Sequence, residues 1–127
     1  MNLEKVVFGF FIVLAATLNF GFFVGTIDNP AHHNIGELFF AIAINLIATV
    51  LKFGDRTQVG AVHLATSLVA DLQLIAAAMH WGWATHISSI GMTAQTTTTV
   101  VSLAAGAMLA NAVSVVILIV ETVMTRR

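Results

Sequence analysis

The chain contains no cysteine, and its 127 residues include a single proline. Without cysteine, the protein has no disulfide bond, no thiolate metal ligand and no thiol nucleophile. The sequence also lacks a glycine–serine linker and any block of like charges, which are the usual marks of linkers and disordered tails. We therefore predict one domain that spans residues 1–127.

Charged residues are scarce as well. They make up 9% of the chain, whereas hydrophobic residues make up 58%. Because soluble domains carry about 25% charged residues, this composition predicts an integral membrane protein whose surroundings are the lipid bilayer. The formal net charge is −1. That value argues against nucleic acid as a partner, because phosphate binding requires a basic surface.

The motifs of soluble catalysis are absent too. The sequence has no glycine-rich phosphate loop, no Gly-x-Ser-x-Gly and no His-Glu-x-x-His, so neither a nucleotide site nor a hydrolase or metalloprotease site is indicated. We predict that the protein is not an enzyme and has no organic cofactor. The sequence leaves a bound cation open.

Four long apolar runs are present. Crossing a bilayer takes about 20 apolar residues, and this length predicts spans at residues 5–27, 34–53, 57–83 and 95–123. The first run resembles a signal peptide in following Lys5, but it is longer than a signal core, so we expect it to remain as a span. The predicted fold class is an all-α polytopic membrane protein with four transmembrane helices, assembled as a homo-oligomeric helix bundle.

Basic residues indicate the orientation of the spans. They occur at the two ends of the chain and between the second and third spans, at Lys5, Lys52, Arg56, Arg126 and Arg127. By the positive-inside rule, both termini and this loop are predicted to be cytoplasmic, in a bacterial inner membrane. Trp81 and Trp83 fit the aromatic belt at the outer interface.

Local signals predict where the spans begin and end. Residues 28–30, Asp-Asn-Pro, break the first span and start a turn. Asn34, with Glu37 three residues later, has the spacing of a capping box for the second span. Asp55 or Thr57 is predicted to cap the third span.

The third span carries an acid near its middle. Asp71 shares an i, i+4, i+8 ridge with His63 and Ser67, and Thr66 and Gln73 flank that ridge. A carboxylate at mid-membrane depth is costly and therefore usually has a partner, a cavity or an ion path. For Asp71 the alternatives are a polar functional centre, a neutral protonated acid, or an ion pair with a basic residue of the neighbouring loop.

Two asparagines are predicted at the depth of Asp71, Asn45 in the second span and Asn111 in the fourth. Hydrogen bonds between helices would explain them, but together with a carboxylate they also offer the oxygen ligands that cations and protons use. His63, about 12 Å away along the helix, would serve as a gate or proton relay. The first hypothesis is a cation-preferring channel or transport subunit, with a pathway between subunits lined by Asp71.

Two further hypotheses remain. Residues with metal-ligand side chains map to the outer side, where they would bind a metal or haem although their spacing is not diagnostic; they are His32, His33, Glu37 and His80. The other hypothesis is a non-catalytic accessory subunit of a larger membrane complex, with a cytosolic regulatory subunit as a further conceivable partner.

Overall fold

The computed structural model describes residues 3–25, 29, 33–55 and 57–125. These residues form four α-helices, which are α1 (Leu3–Phe23), α2 (Ile35–Lys52), α3 (Gln58–Gly82) and α4 (Ala94–Thr125). Each is long and apolar enough to cross a membrane. The prediction of an all-α chain with four such helices is confirmed, and the four apolar helices indicate an integral membrane protein.

The helix bounds differ from the predicted spans at two places. α1 ends at Phe23 rather than at residue 27, because Gly25 has a φ of +112° and a helix does not continue through that left-handed conformation. α3 continues beyond residue 83 as a π-helical turn, Trp83–Ile87. The predicted break at Asp28 and Pro30 lies outside the described residues.

Side-chain caps fix the starts of α2 and α3. The side chain of Asn34 accepts a hydrogen bond of 2.8 Å from the backbone N–H of Gly36, so its predicted role as a cap is confirmed. At the start of α3 the cap is Thr57, whose hydroxyl accepts from the N–H of Gly60 at 2.9 Å. Asp55, the alternative cap, instead accepts from both the backbone and the hydroxyl of Thr57.

The helices form a closed bundle. Each helix packs on the preceding and the following one, and α4 also packs on α1. Glycines allow two close approaches, with the Gln73 side chain against Gly106 of α4 and the Glu37 side chain against Gly21 of α1. Small residues serve this purpose in membrane bundles because burial in lipid provides little attraction between helices.

The two ends of the bundle differ in their interior. We call the end where α1 and α3 begin, and where α2 and α4 end, the lysine end, because Lys5 and Lys52 lie there. The half of the bundle towards the opposite end contains a large apolar cluster that includes Phe22, Leu38, Leu74, Val100, Val101 and Ala104. The half towards the lysine end has a small apolar cluster of Phe8, Ile12 and Ala48. Its interior also contains buried polar side chains, among them Asn45, His63 and Ser67.

Candidate cation site around Asp71

Asp71 lies between α3 and α2. Its side chain is buried, with 6% of its surface exposed. One carboxylate oxygen accepts a hydrogen bond from Asn45 Nδ2 at 2.5 Å, and the other accepts from Thr49 Oγ1 at 2.6 Å. Asn45 and Thr49 are one turn apart on α2 and therefore share a face. The structure thus brings the predicted pair Asp71 and Asn45 together and adds Thr49 to them.

The Asn45 carboxamide also bonds to the preceding turn of α3. Its Nδ2 donates to the carbonyl oxygen of Ser67 at 3.2 Å. Within the described part of the chain, Asn45 Oδ1 and Ser67 Oγ have no hydrogen-bond partner although both residues are fully buried. Asn45, which bonds to the carboxylate, and Ser67, one turn away on α3, therefore each bury an oxygen with unused lone pairs, and burying such a group without a partner costs about 1–3 kcal/mol.

Thr49 is in reach of two acceptors at once. Its hydroxyl lies 2.6 Å from Asp71 Oδ2 and 2.9 Å from the backbone oxygen of Asn45. A hydroxyl group carries a single hydrogen. With an ionised Asp71, Thr49 therefore donates to only one of the two acceptors at a time.

His63 lies two turns nearer the lysine end on the same buried ridge of α3. Its Nδ1 forms a 2.6 Å hydrogen bond with Ser114 Oγ of α4. The ring contacts Phe8 of α1 edge-on, with the ring centroids 4.9 Å apart. Nε2 has no hydrogen-bond partner among residues 3–25, 29, 33–55 and 57–125. The imidazole is fixed in place with one nitrogen still available.

Asn111 contributes from α4. α3 and α4 run antiparallel, with His63 beside Ser114 and Gln73 beside Gly106. Asn111 lies between Gly106 and Ser114 on α4 and is therefore opposite the middle of α3. It is fully buried, and neither polar atom of its side chain has a partner in the described residues. The middle of the bundle therefore contains buried polar groups from α2, α3 and α4.

The other residues predicted for this centre have local roles. The hydroxyl of Thr66 donates to the carbonyl oxygen of His63 in its own helix at 3.0 Å. Gln73 packs against Gly106, and its Oε1 has no partner in the described chain. Neither side chain hydrogen-bonds to Asp71 in the structure.

The residues predicted to bind a metal at the outer face do not come together in the part of the chain that the structure describes. His33 is buried, and its Nδ1 donates to the carbonyl oxygen of Phe22 at 2.5 Å. Among the residues that the structure describes, no three of His, Asp or Glu come together as a group able to hold a metal ion; these include Glu37 and His80, whereas His32 lies outside them. The metal or haem site stays a prediction without a geometric basis here.

A cavity of about 980 Å³ opens at the lysine end, between the start of α1, the end of α2, the following loop and Glu121 of α4. Two ion pairs line it, Lys5–Glu121 at 3.1 Å and Lys52–Asp55 at 3.5 Å. The hydrogen bonds from Thr57, together with the charge of Lys52, lower the pKa of Asp55 below its ordinary value. The charges of this cavity are therefore held in defined pairs.

Phe8 separates this cavity from the polar interior. It lines the cavity, and the Lys52 ammonium lies 4.2 Å from the centroid of its ring. The same ring contacts His63. The order in space from the lysine end inward is thus the cavity, Phe8, His63, Ser67 and Asp71.

Comparison with known proteins adds one relationship. No curated protein and no solved structure matches the chain. The model of a family of unknown function, DUF6394, matches residues 32–122, a range that contains Asn45, His63, Asp71 and Asn111. The chain therefore belongs to DUF6394, a family of unknown function.

Proposed function

We propose that this protein is a small, cation-preferring transport subunit of the membrane in which Asp71 takes up the cation. The observation that carries the proposal is a buried carboxylate, far from either end of α3, whose neighbours Asn45 and Ser67 each have a buried oxygen without a partner in the described residues. A structural role alone would favour apolar side chains here, because a buried acid is costly and unsatisfied buried oxygens add to that cost.

The proposed site lies inside each protomer. Both donors to Asp71 come from α2 of the same chain, which favours uptake into the bundle over a ring of carboxylates around an oligomer axis. A homo-oligomer of such protomers remains part of the proposal, as the assembly in which several sites act side by side.

We also propose that the lysine end faces the cytoplasm of a bacterial inner membrane, with both termini and the α2–α3 loop on that side. Lys5 and Lys52 line one cavity at one end of the bundle, which agrees with the positive-inside rule. The other basic residues of the pattern, Arg56, Arg126 and Arg127, lie outside the described residues.

The second candidate is a non-catalytic accessory subunit of a larger membrane complex, with or without a cytosolic regulatory partner. It is favoured by the same two hydrogen bonds, because a carboxylate that accepts from Asn45 and Thr49 also fixes α2 to α3. The two candidates differ in one respect: only the transport subunit requires the charge of Asp71 for ion movement.

The test is ion flux in vesicles that contain the purified protein. We compare the parent protein with Asp71→Asn, which keeps the shape of the side chain and retains hydrogen-bonding groups for Asn45 and Thr49. Leu72→Ala is the matched control, since Leu72 is adjacent to Asp71 but 72% exposed on the lipid side. We expect cation flux to fall at least about tenfold in Asp71→Asn and to persist in Leu72→Ala, because the acid provides the selectivity for cations.

Two results would reject the transport proposal. One is a parent protein whose flux of sodium, potassium and protons equals that of empty vesicles. The other is an Asp71→Asn protein that is folded and transports cations as well as the parent does. Either result would leave the accessory subunit as the better interpretation.

A further inference from the structure

We infer that the cation taken up by Asp71 is a proton, which reaches it from the cavity at the lysine end through His63 and Ser67, with Phe8 as the barrier at the entrance. This inference rests on the proposed function in taking Asp71 as the site of uptake. It goes further in naming the ion, the side of entry and the residues of the route.

The burial of the route excludes a wide aqueous path in this conformation. Phe8, His63 and Ser67 are each 1% exposed or less. A hydrated metal ion requires an opening along its whole path, whereas a proton requires only hydrogen-bonding groups at suitable distances. The closed interior between the cavity and Asp71 therefore favours a proton.

The spacing of the groups suits transfer through single water molecules. His63, Ser67 and Asp71 follow one another at intervals of one helical turn, or about 6 Å. A water molecule that makes two hydrogen bonds of about 2.8 Å spans nearly this distance. His63 Nε2 and Ser67 Oγ are the atoms on this line without a partner in the described residues, so each is free to bond such a water.

The hydrogen bonds at Asp71 also accommodate a proton. If Oδ2 is protonated, its O–H donates to Thr49 Oγ1, and the Thr49 hydroxyl then donates to the backbone oxygen of Asn45. Both short contacts of Thr49, 2.6 Å and 2.9 Å, are then hydrogen bonds at the same time. The Thr49 hydroxyl thus takes part in two hydrogen bonds when Asp71 is neutral and in one when Asp71 is ionised.

The transfer balances without any other reactant. Once the Phe8 ring has moved aside, a hydronium ion in the cavity gives a proton to His63 Nε2, which forms an imidazolium and leaves water. The imidazolium returns a proton through water and Ser67 Oγ, where each oxygen accepts one proton and releases another. The Asp71 carboxylate receives the last proton and becomes neutral, and His63 and Ser67 regain their starting forms.

Charged groups from α1, α2, α4 and the α2–α3 loop surround the entrance. The described cavity lining includes two lysines and three acids, namely Lys5, Lys52, Glu4, Asp55 and Glu121. The Lys52 ammonium, over the Phe8 ring and paired with Asp55, places a positive charge directly at the barrier. Removing the Phe8 ring should open the way from the cavity to His63. The acids of the lining attract cations to this entrance.

The experiment measures protonation of Asp71 in the full chain in lipid nanodiscs. Infrared difference spectra after a rapid drop in pH report the C=O band of a protonated carboxyl group, and Asp71→Asn identifies the part that belongs to Asp71. We expect that band in the parent protein. We expect it to form at least about tenfold more slowly in His63→Gln and faster in Phe8→Ala, with the final band unchanged in both.

A control variant and a second test variant distinguish a slower proton route from a folding defect. His86→Gln is the matched control for His63→Gln, because His86 is exposed at the opposite end of α3. Ser67→Ala removes only a hydroxyl group that lacks a partner and should slow the band as His63→Gln does. A band that forms at the parent rate in both His63→Gln and Ser67→Ala would reject the route, and absence of any Asp71 band would reject the proton.

This result and the vesicle result separate the two proposals. Sodium or potassium flux that requires Asp71, without an Asp71 proton band, would support the transport proposal and overturn the inference. An Asp71 band that depends on His63, in a protein without ion flux, would support the proton route and overturn the transport proposal.

Discussion

The two halves of the bundle treat buried polar groups differently. Towards the opposite end, the buried polar side chains have partners: His33 bonds to the backbone of Phe22, Thr97 bonds to the backbone of Thr93, and the Asn19 amide suits a pair of 3.3 Å bonds to the α4 backbone. Towards the lysine end and the middle, several buried polar atoms have none in the described chain; they belong to Asn45, His63, Ser67 and Asn111.

This difference between the halves supports the proposed function. In the half towards the opposite end, polar groups lie beside a continuous apolar cluster, and Gln73 Oε1 is the one buried side-chain atom there without a partner in the described residues. In the other half, such atoms come from three helices, in His63 and Ser67 of α3, Asn45 of α2 and Asn111 of α4. Since both halves belong to the same four helices, this concentration of unpartnered atoms supports the proposal that the half towards the lysine end takes up a cation.

The largest effect on stability is expected in the apolar half. Leu74 is fully buried there, and Leu74→Ala should lower the free energy of unfolding by about 3 kcal/mol because it leaves a cavity. Unfolding in mixed detergent micelles measures the change, and Leu72→Ala, at a position 72% exposed, serves as the control with little loss. Equal losses for the two variants would show that the apolar cluster is not a packed core.

A smaller loss is expected at the bond between α2 and α3. Thr49→Val keeps the shape of the side chain but removes a donor to buried Asp71, which should cost about 1 kcal/mol. Thr66→Val is its control, because the Thr66 hydroxyl bonds only within its own helix in the described contacts, and it should cost less than about 0.5 kcal/mol. The same unfolding titration compares both. A loss in Thr66→Val as large as in Thr49→Val would contradict the proposed importance of the Thr49 contact.

The opposite sign is expected at Ser67. Ser67→Ala removes a buried hydroxyl without a partner in the described residues and should stabilise the bundle by up to about 1 kcal/mol, while it slows protonation of Asp71. These two results together would mean that Ser67 lowers the stability of the bundle but speeds proton transfer, as we expect of a residue with a function in the route. A destabilised Ser67→Ala protein would indicate that the hydroxyl has a structural role instead.

The smallest effect concerns the loop at the lysine end. Because the pKa of Asp55 is lowered in the folded protein, its ionised form contributes stability above the ordinary carboxyl pKa, and this contribution is lost as the pH falls through the lowered value. Asp55 is partly exposed, so the contribution should stay below about 1 kcal/mol. We expect Asp55→Asn to be slightly less stable than the parent at neutral pH and equal to it in acid. A difference that grows in acid would contradict the sign of the shift.

Sequence patterns predicted the helices well because length and apolar composition determine which segments can cross a membrane. The ends were less certain: α1 stops early because Gly25 adopts a left-handed conformation, a property of the turn rather than of the apolar run. The ridge from His63 to Asp71 followed from helical periodicity alone. Periodicity does not give the rotation of α2 about its axis, so Thr49 was not identified as a partner of Asp71, although its spacing from Asn45 was the available signal.

The cavity at the lysine end was not predictable in the same way. It is built from the start of one helix, the end of two others and a loop, and only their packing brings Lys52 over Phe8 and Phe8 against His63. The proposed pathway between subunits followed from the small size of one protomer. The hydrogen bonds of Asp71 within its own chain favour a site inside the protomer instead. Those bonds depend on how α2 and α3 are oriented, which cannot be derived from the composition of the sequence.

The most direct test of Asp71 as a site of cation uptake is a count of protons. Purified protein in nanodiscs is acidified from alkaline pH, and the protons bound per protomer are measured for the parent and for Asp71→Asn. We predict that the parent binds about one proton more per protomer than Asp71→Asn. Identical proton counts at every pH would contradict the central claim.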